Sequence, residues 1–204
     1  MFREIIQVKV TVLGNANVGK SSIINRFIKE EYYENSEPTI GANFLSKVVE
    51  FEKFAVKLNI WDTAGQERYS SLAASYTRGS QACLLVYDIT SVESFEGVDR
   101  WFNNIRSHLD SDCHIFVVGN KEDLIDNEGI KLEQAQEYCK KIECEHFRVS
   151  AKSGAGLNEM FLELCKKIMG NQNLTQASGN RSDRGFSVSI TDTKIIKPKK
   201  CCKG

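Results

Sequence analysis

The chain has 204 residues, 41% hydrophobic and 26% charged, with 27 basic against 27 acidic side chains. This composition suits one soluble globular domain with length left over, and no apolar run approaches the roughly 20 residues that span a bilayer. The balance hides an asymmetry, because residues 171–204 hold seven Lys and Arg against two Asp, a net of +5 that leaves −5 on residues 1–170. A broad nucleic-acid surface is thereby excluded, and any anionic partner belongs at the tail.

The N-terminal run MFREIIQVKV alternates Val with Gln, Lys and Thr, unlike a signal or transit peptide. The seven cysteines stand at irregular spacing with no C-x-x-C pair, which argues against a disulfide framework or a zinc site and for a reduced, intracellular chain. The five internal ones read as small apolar packing residues. The three histidines suggest nothing catalytic.

In chain order, residues 7–13 alternate Val8, Val10 and Val12 and predict a strand. Residues 21–30 predict a helix with Ile23, Ile24, Phe27 and Ile28 on one side. Residues 43–51 and 54–61 are alternating runs separated by Glu52 and Lys53, an antiparallel hairpin. Residues 82–87 and 114–118 are short continuous apolar runs, as in central strands covered on both faces. Between them Val92, Phe95, Val98, Trp101, Ile105 and Leu109 form a helical stripe behind the cap candidate Ser91. A helix on Leu132, Ala135, Tyr138, Cys139 and Ile142, a brief strand at 147–149 and an amphipathic helix at 157–168 complete the body. Strands alternating with helices predict a doubly wound α/β domain over residues 1–170. Residues 171–204 are polar and predict a flexible tail.

GNANVGKS (Gly14, Asn15, Ala16, Asn17, Val18, Gly19, Lys20, Ser21) follows the first strand and opens the first helix. That context gives G-x-x-x-x-G-K-S its meaning: backbone N–H groups and a helix N-terminus face phosphate oxygens. Lys20 supplies charge to the outer phosphates, and the Ser21 hydroxyl can ligate Mg²⁺. By itself the loop leaves GTPase, ATPase and kinase open. In IWDTAGQ, Asp62 at a strand end can hold Mg²⁺ through water, Gly65 can offer its N–H to the terminal phosphate, and Gln66 can orient an attacking water. Asn120-Lys121-Glu122-Asp123 follows the strand at 114–118. The Asp123 carboxylate accepts two adjacent donors, which guanine presents and adenine does not. Asn120 can tie this loop to the phosphate loop, the Ala151 N–H of Ser150-Ala151-Lys152 can reach the guanine carbonyl, and the stems of Lys121 and Lys152 can cover the ring.

On these motifs the sequence resembles the Ras superfamily of small GTPases, and its Rab branch in particular, from about Lys9 to Met169 and again at the C-terminal cysteines. GNANVGKS, PTIGANF, WDTAGQERY, YDIT, NKED and SAK stand in the family's order. The resemblance implies a P-loop NTPase small G domain, a six-stranded sheet with five parallel strands, and a GDP/GTP switch with Mg²⁺. It makes Thr39 the threonine that meets Mg²⁺ and the γ-phosphate in the GTP form, adds Ser22 to the nucleotide contacts, and places Tyr32 against the base. Gln66, Lys20 and Thr39 become the catalytic set. The switches would span roughly residues 33–44 and 62–78. Phe44, Trp61 and Tyr76 match an effector-binding aromatic triad, with plain core packing as the alternative reading. TIGANFLSK and RYSSLAASYTRGS look most like early-endosomal members. Ala16 stands where a methyl group crowds the terminal phosphate, so the intrinsic rate is not legible. A scaffold that binds GTP with little hydrolysis is the alternative function.

The tail ends KPKKCCKG. Exposed paired thiols beside lysines make sense as lipidation: two chains anchor stably where one does not. The resemblance implies geranylgeranylation of Cys201 and Cys202, with palmitoylation or an unmodified end as alternatives. It also implies an exchange factor, a GTPase-activating protein, a dissociation inhibitor, a prenylation escort protein and effectors. The expected protein is a monomer on the cytoplasmic face of an endomembrane, most simply the endosome, with a cytosolic pool.

Overall fold

The computed structural model describes residues 4–34, 37–52, 54–65, 75–174 and 188–189. Six strands, β1 (Glu4–Leu13), β2 (Ala42–Phe51), β3 (Phe54–Thr63), β4 (Ala82–Asp88), β5 (His114–Asn120) and β6 (Glu145–Arg148), form the expected sheet in the order β6-β5-β4-β1-β3-β2. Five of them run parallel, and β2 is antiparallel to β3 through the predicted hairpin, with Phe44 opposite Trp61. A two-residue β7 (Val188–Ser189) adds antiparallel to β2 at Glu50 and Phe51. The six strands of the domain are those expected, and this bridge adds two backbone positions of the polar tail at the sheet's edge.

The period of two along the strands sorts side chains onto two cores. Val8, Val10, Val12, Leu84 and Val86 face α1 (Lys20–Lys29) and α4 (Leu157–Leu174), where Phe27 stacks on Phe161 at 3.7 Å. Cys83, Leu85, Tyr87 and Val117 face α2 (Val92–Ile105) and α3 (Leu132–Lys141). Helices therefore cover both faces. Ser91 caps α2 as its sequence predicts, its hydroxyl accepting from the Ser94 N–H at 3.2 Å.

Some boundaries move. Helix α2 ends at Ile105, short of Leu109, and Val92 and Leu132 at the helix starts are exposed. β6 covers Glu145–Arg148, earlier than residues 147–149. Helix α4 runs to Leu174, beyond the predicted stretch at 157–168, because extending a formed helix costs little per residue. All five internal cysteines are free, three of them buried. No helix among the described residues is long and apolar enough to cross a membrane.

Candidate functional site

The carboxyl ends of β1, β3 and β5 and the turn after β6 meet at one edge of the sheet, where doubly wound folds bind ligands. The chain leaves β1 at Leu13 and turns through Gly14–Gly19 into α1. Gly19 holds the turn at φ 91°, and a Cβ there would lie 2.2 Å from Asn120 Nδ2, so this position requires glycine on both counts.

Lys20 opens α1 and points back beneath the loop. Its ammonium donates to the carbonyls of Gly14 at 2.9 Å and Asn15 at 2.8 Å. Burial pulls its pKa down from 10.5 to about 8, against the opposing pull of the Asp62 charge. A Cβ on Gly65 would lie 2.5 Å from the Asn15 carbonyl oxygen, backbone that cannot step aside, which fixes glycine there by contact alone. The Ser21 hydroxyl donates to Asp62 Oδ2 at 2.6 Å and lies 2.7 Å from the Thr39 hydroxyl. Two hydroxyls and a carboxylate thus converge from α1, β3 and the chain ahead of β2. Asp62 is 2% exposed, and its buried Oδ1 has no hydrogen-bond partner among the described residues. Burial raises its pKa, opposed by Ser21, Lys20 and Thr39.

These residues fit a hard divalent cation beside phosphates. The donor set is all oxygen, as Mg²⁺ prefers, and one carboxylate with hydroxyls leaves positions for phosphate and water. Burial drives both Lys20 and Asp62 toward neutrality, whereas phosphate oxygens and a cation would hold both charged.

The neighbouring cleft encloses about 430 Å³ between Asn17, Gly19, Tyr32, Asn120, Asp123, Ala151 and Lys152. Asn120 ties the loops together as expected: its amide donates to the Val18 carbonyl at 2.8 Å, and its Oδ1 accepts the Ala151 N–H at 3.0 Å. That N–H, expected to meet a base carbonyl, is thus on Asn120. Ser150 donates to Asp123 Oδ1 at 2.5 Å and aims the carboxylate. Lys121, in the left-handed region at φ 69°, pairs with Asp88 Oδ2 at 2.5 Å, and Lys152 lies 3.5 Å from Glu34. Ala16 and Asn17 are exposed at the loop's crest.

Along the hairpin, Phe44 meets Trp61 edge-on at 5.5 Å between centroids, and Tyr76 lies 6.0 Å beyond Trp61. Phe44 is 53% exposed, so this row is a surface feature rather than core. Gln66, Cys201 and Cys202 lie outside the described residues.

Local patterns gave no signal for two contacts. Lys47 on β2 is 6% exposed, donates to the Phe27 carbonyl at the end of α1 and lies 4.4 Å over the Phe27 ring. The Trp101 indole N–H donates to Asn15 Oδ1 at 3.0 Å.

The parallel sheet, the phosphate-type loop and the helices on both faces define a P-loop nucleoside-triphosphatase fold. A model of the Ras family matches residues 9–170, and the chain belongs to that family. It is 37% identical over 196 residues to the human "Ras-related protein Rab-22A", covering 96% of this chain and 97% of that one. It is accordingly a Rab-type small GTPase, a GTP-hydrolysing switch in membrane traffic. Ras-family proteins bind GTP, GDP and Mg²⁺, and Rab proteins work with exchange factors, activating proteins and effectors.

Proposed function

We propose that this GTPase acts on the endocytic route, with the nucleotide and Mg²⁺ held by the residues assembled above. The observation that carries the site reading is the convergence of the Ser21 and Thr39 hydroxyls beside Asp62, whose buried Oδ1 has no hydrogen-bond partner among the described residues. Mg²⁺ would be held by Ser21, Thr39 and, through water, Asp62, and it would supply neutralisation of phosphate charge.

The chain's own residues do the rest. Backbone N–H groups from Gly14 to Ser22 cradle the phosphates, and Lys20 leaves the Gly14 and Asn15 carbonyls for the outer phosphates. The Gly65 N–H meets the γ-phosphate, and Gln66 orients the attacking water. Asp123, aimed by Ser150, accepts the paired guanine donors, with Tyr32, Lys121 and Lys152 around the base. Thr39 and Gly65 engage only while a γ-phosphate is present, so hydrolysis releases both switches and the Phe44, Trp61 and Tyr76 surface that effectors would read. Residues 1–170 form the switch, and the tail carries it on an endosomal membrane through lipidated Cys201 and Cys202. A dissociation inhibitor and a prenylation escort would serve the cytosolic pool.

Magnesium titration of the loaded protein tests the site. Wild type should bind Mg²⁺ more tightly with GTP than with GDP, and Thr39→Ala should abolish that difference. An undiminished difference in the variant would remove Thr39 from the metal site.

A further inference from the structure

Gly97 stands in the middle of α2, where glycine is among the least favourable residues. Its neighbour explains it. A Cβ built there would lie 2.5 Å from Oδ1 and 2.7 Å from Nδ2 of Asn15, so bare helix backbone forms the floor of a slot for that side chain. One turn further along the same face, Trp101 is 6% exposed, and its indole N–H donates to Asn15 Oδ1 at 3.0 Å. The main chain of Asn15 faces the chemistry. Its carbonyl accepts from Lys20 Nζ at 2.8 Å and lies 2.5 Å from where a Gly65 Cβ would be. One loop residue therefore joins α2, the phosphate-loop lysine and the start of the second switch.

We propose that Gly97 and Trp101 form a seat for Asn15 that sets how fast nucleotide is released. Trp101 is a positioning residue: it acts through Asn15 on the carbonyl that shares Lys20 with the phosphates. The proposal rests on the phosphate-loop reading above. Engaging phosphate requires Lys20 to leave the Gly14 and Asn15 carbonyls. A loop pinned from outside keeps its curvature through that exchange, whereas an unpinned loop must be ordered again at the expense of affinity. The remainder of Trp101 packs in the apolar core beneath α2, so phenylalanine in its place would fill much of the same space and remove the donor.

The test measures release of a fluorescent GDP analogue from the full chain with Mg²⁺ present. Trp101→Phe and Asn15→Ala should each speed release about 2- to 10-fold, the worth of one neutral hydrogen bond. Their double variant should release no faster than the faster single. Gly97→Ala should also speed release, and that effect should vanish in an Asn15→Ala background, where the slot holds no amide. Multiplying effects, or a Gly97→Ala effect that persists without the amide, would assign these residues to helix packing and overturn the seat. Release at the wild-type rate from every variant would overturn it too, with the loop reading intact. A wild-type chain that binds no GDP analogue would overturn both.

Discussion

Lys20 offers the sharpest electrostatic test, because its charge is buried against the carbonyls of the phosphate-type loop. Its pKa falls from 10.5 to about 8, chiefly through burial. At 1.36 kcal/mol per pKa unit, this shift corresponds to a penalty of about 3 kcal/mol on the folded state at neutral pH. Between the two pKa values the unfolded chain holds more protons than the native one, so stability rises with pH through this window. Lys20→Met removes the titration. It also removes the charged hydrogen bonds to Gly14 and Asn15, worth about 1.5 to 3 kcal/mol each. These terms oppose one another, so the variant's stability at a single pH is not diagnostic, but the slope is. In urea unfolding of nucleotide-stripped protein from pH 7.5 to 10, wild type should rise relative to Lys20→Met by about 2 kcal/mol, most of the penalty, with other ionisations cancelling in the difference. Parallel curves, or a relative fall of wild type, would refute the burial argument.

Asp123→Asn replaces an acceptor of two donors with a mixed group, and two charge-assisted hydrogen bonds lost predict a fall in GTP affinity of at least about 100-fold. Competition binding should show xanthosine triphosphate affected less than GTP, since an amide can donate where xanthine carries its extra carbonyl. Imaging of an N-terminally tagged chain should show endosomal puncta that turn cytosolic in the Cys201→Ser, Cys202→Ser variant. An unchanged distribution would remove the lipid anchor, and Golgi signal in wild type would discard the endocytic branch alone.

The phosphate loop was legible because its signal is local: strand, glycines, Lys20 and Ser21 are contiguous. The tie from Asn120 to the phosphate loop was legible as well, because an amide at the end of β5 faces the first loop in any sheet of this order. What escaped depends on distant partners. Lys47 looks like an ordinary polar position on an alternating strand, and only the end of α1 above it explains its burial. Asn15 occupies an unspecified position of G-x-x-x-x-G-K-S, and only Gly97 and Trp101 on distant α2 give its side chain a partner. Lys121 was expected over the base, and its pairing with Asp88 on β4 could not be read from NKED alone. The β7 bridge was hidden for another reason: two residues in a polar tail carry too little pattern to call a strand.

The measurement that bears most directly on the switch is single-turnover phosphate release from GTP with Mg²⁺, comparing wild type with Gln66→Leu and with ATP in place of GTP. Wild type should release phosphate slowly from GTP, Gln66→Leu should release it at least about tenfold more slowly, and ATP should yield none. Equal release from wild type and variant would contradict a hydrolytic timer and favour a GTP-dependent scaffold. Release from ATP as fast as from GTP would contradict the assignment of Asp123 to the base.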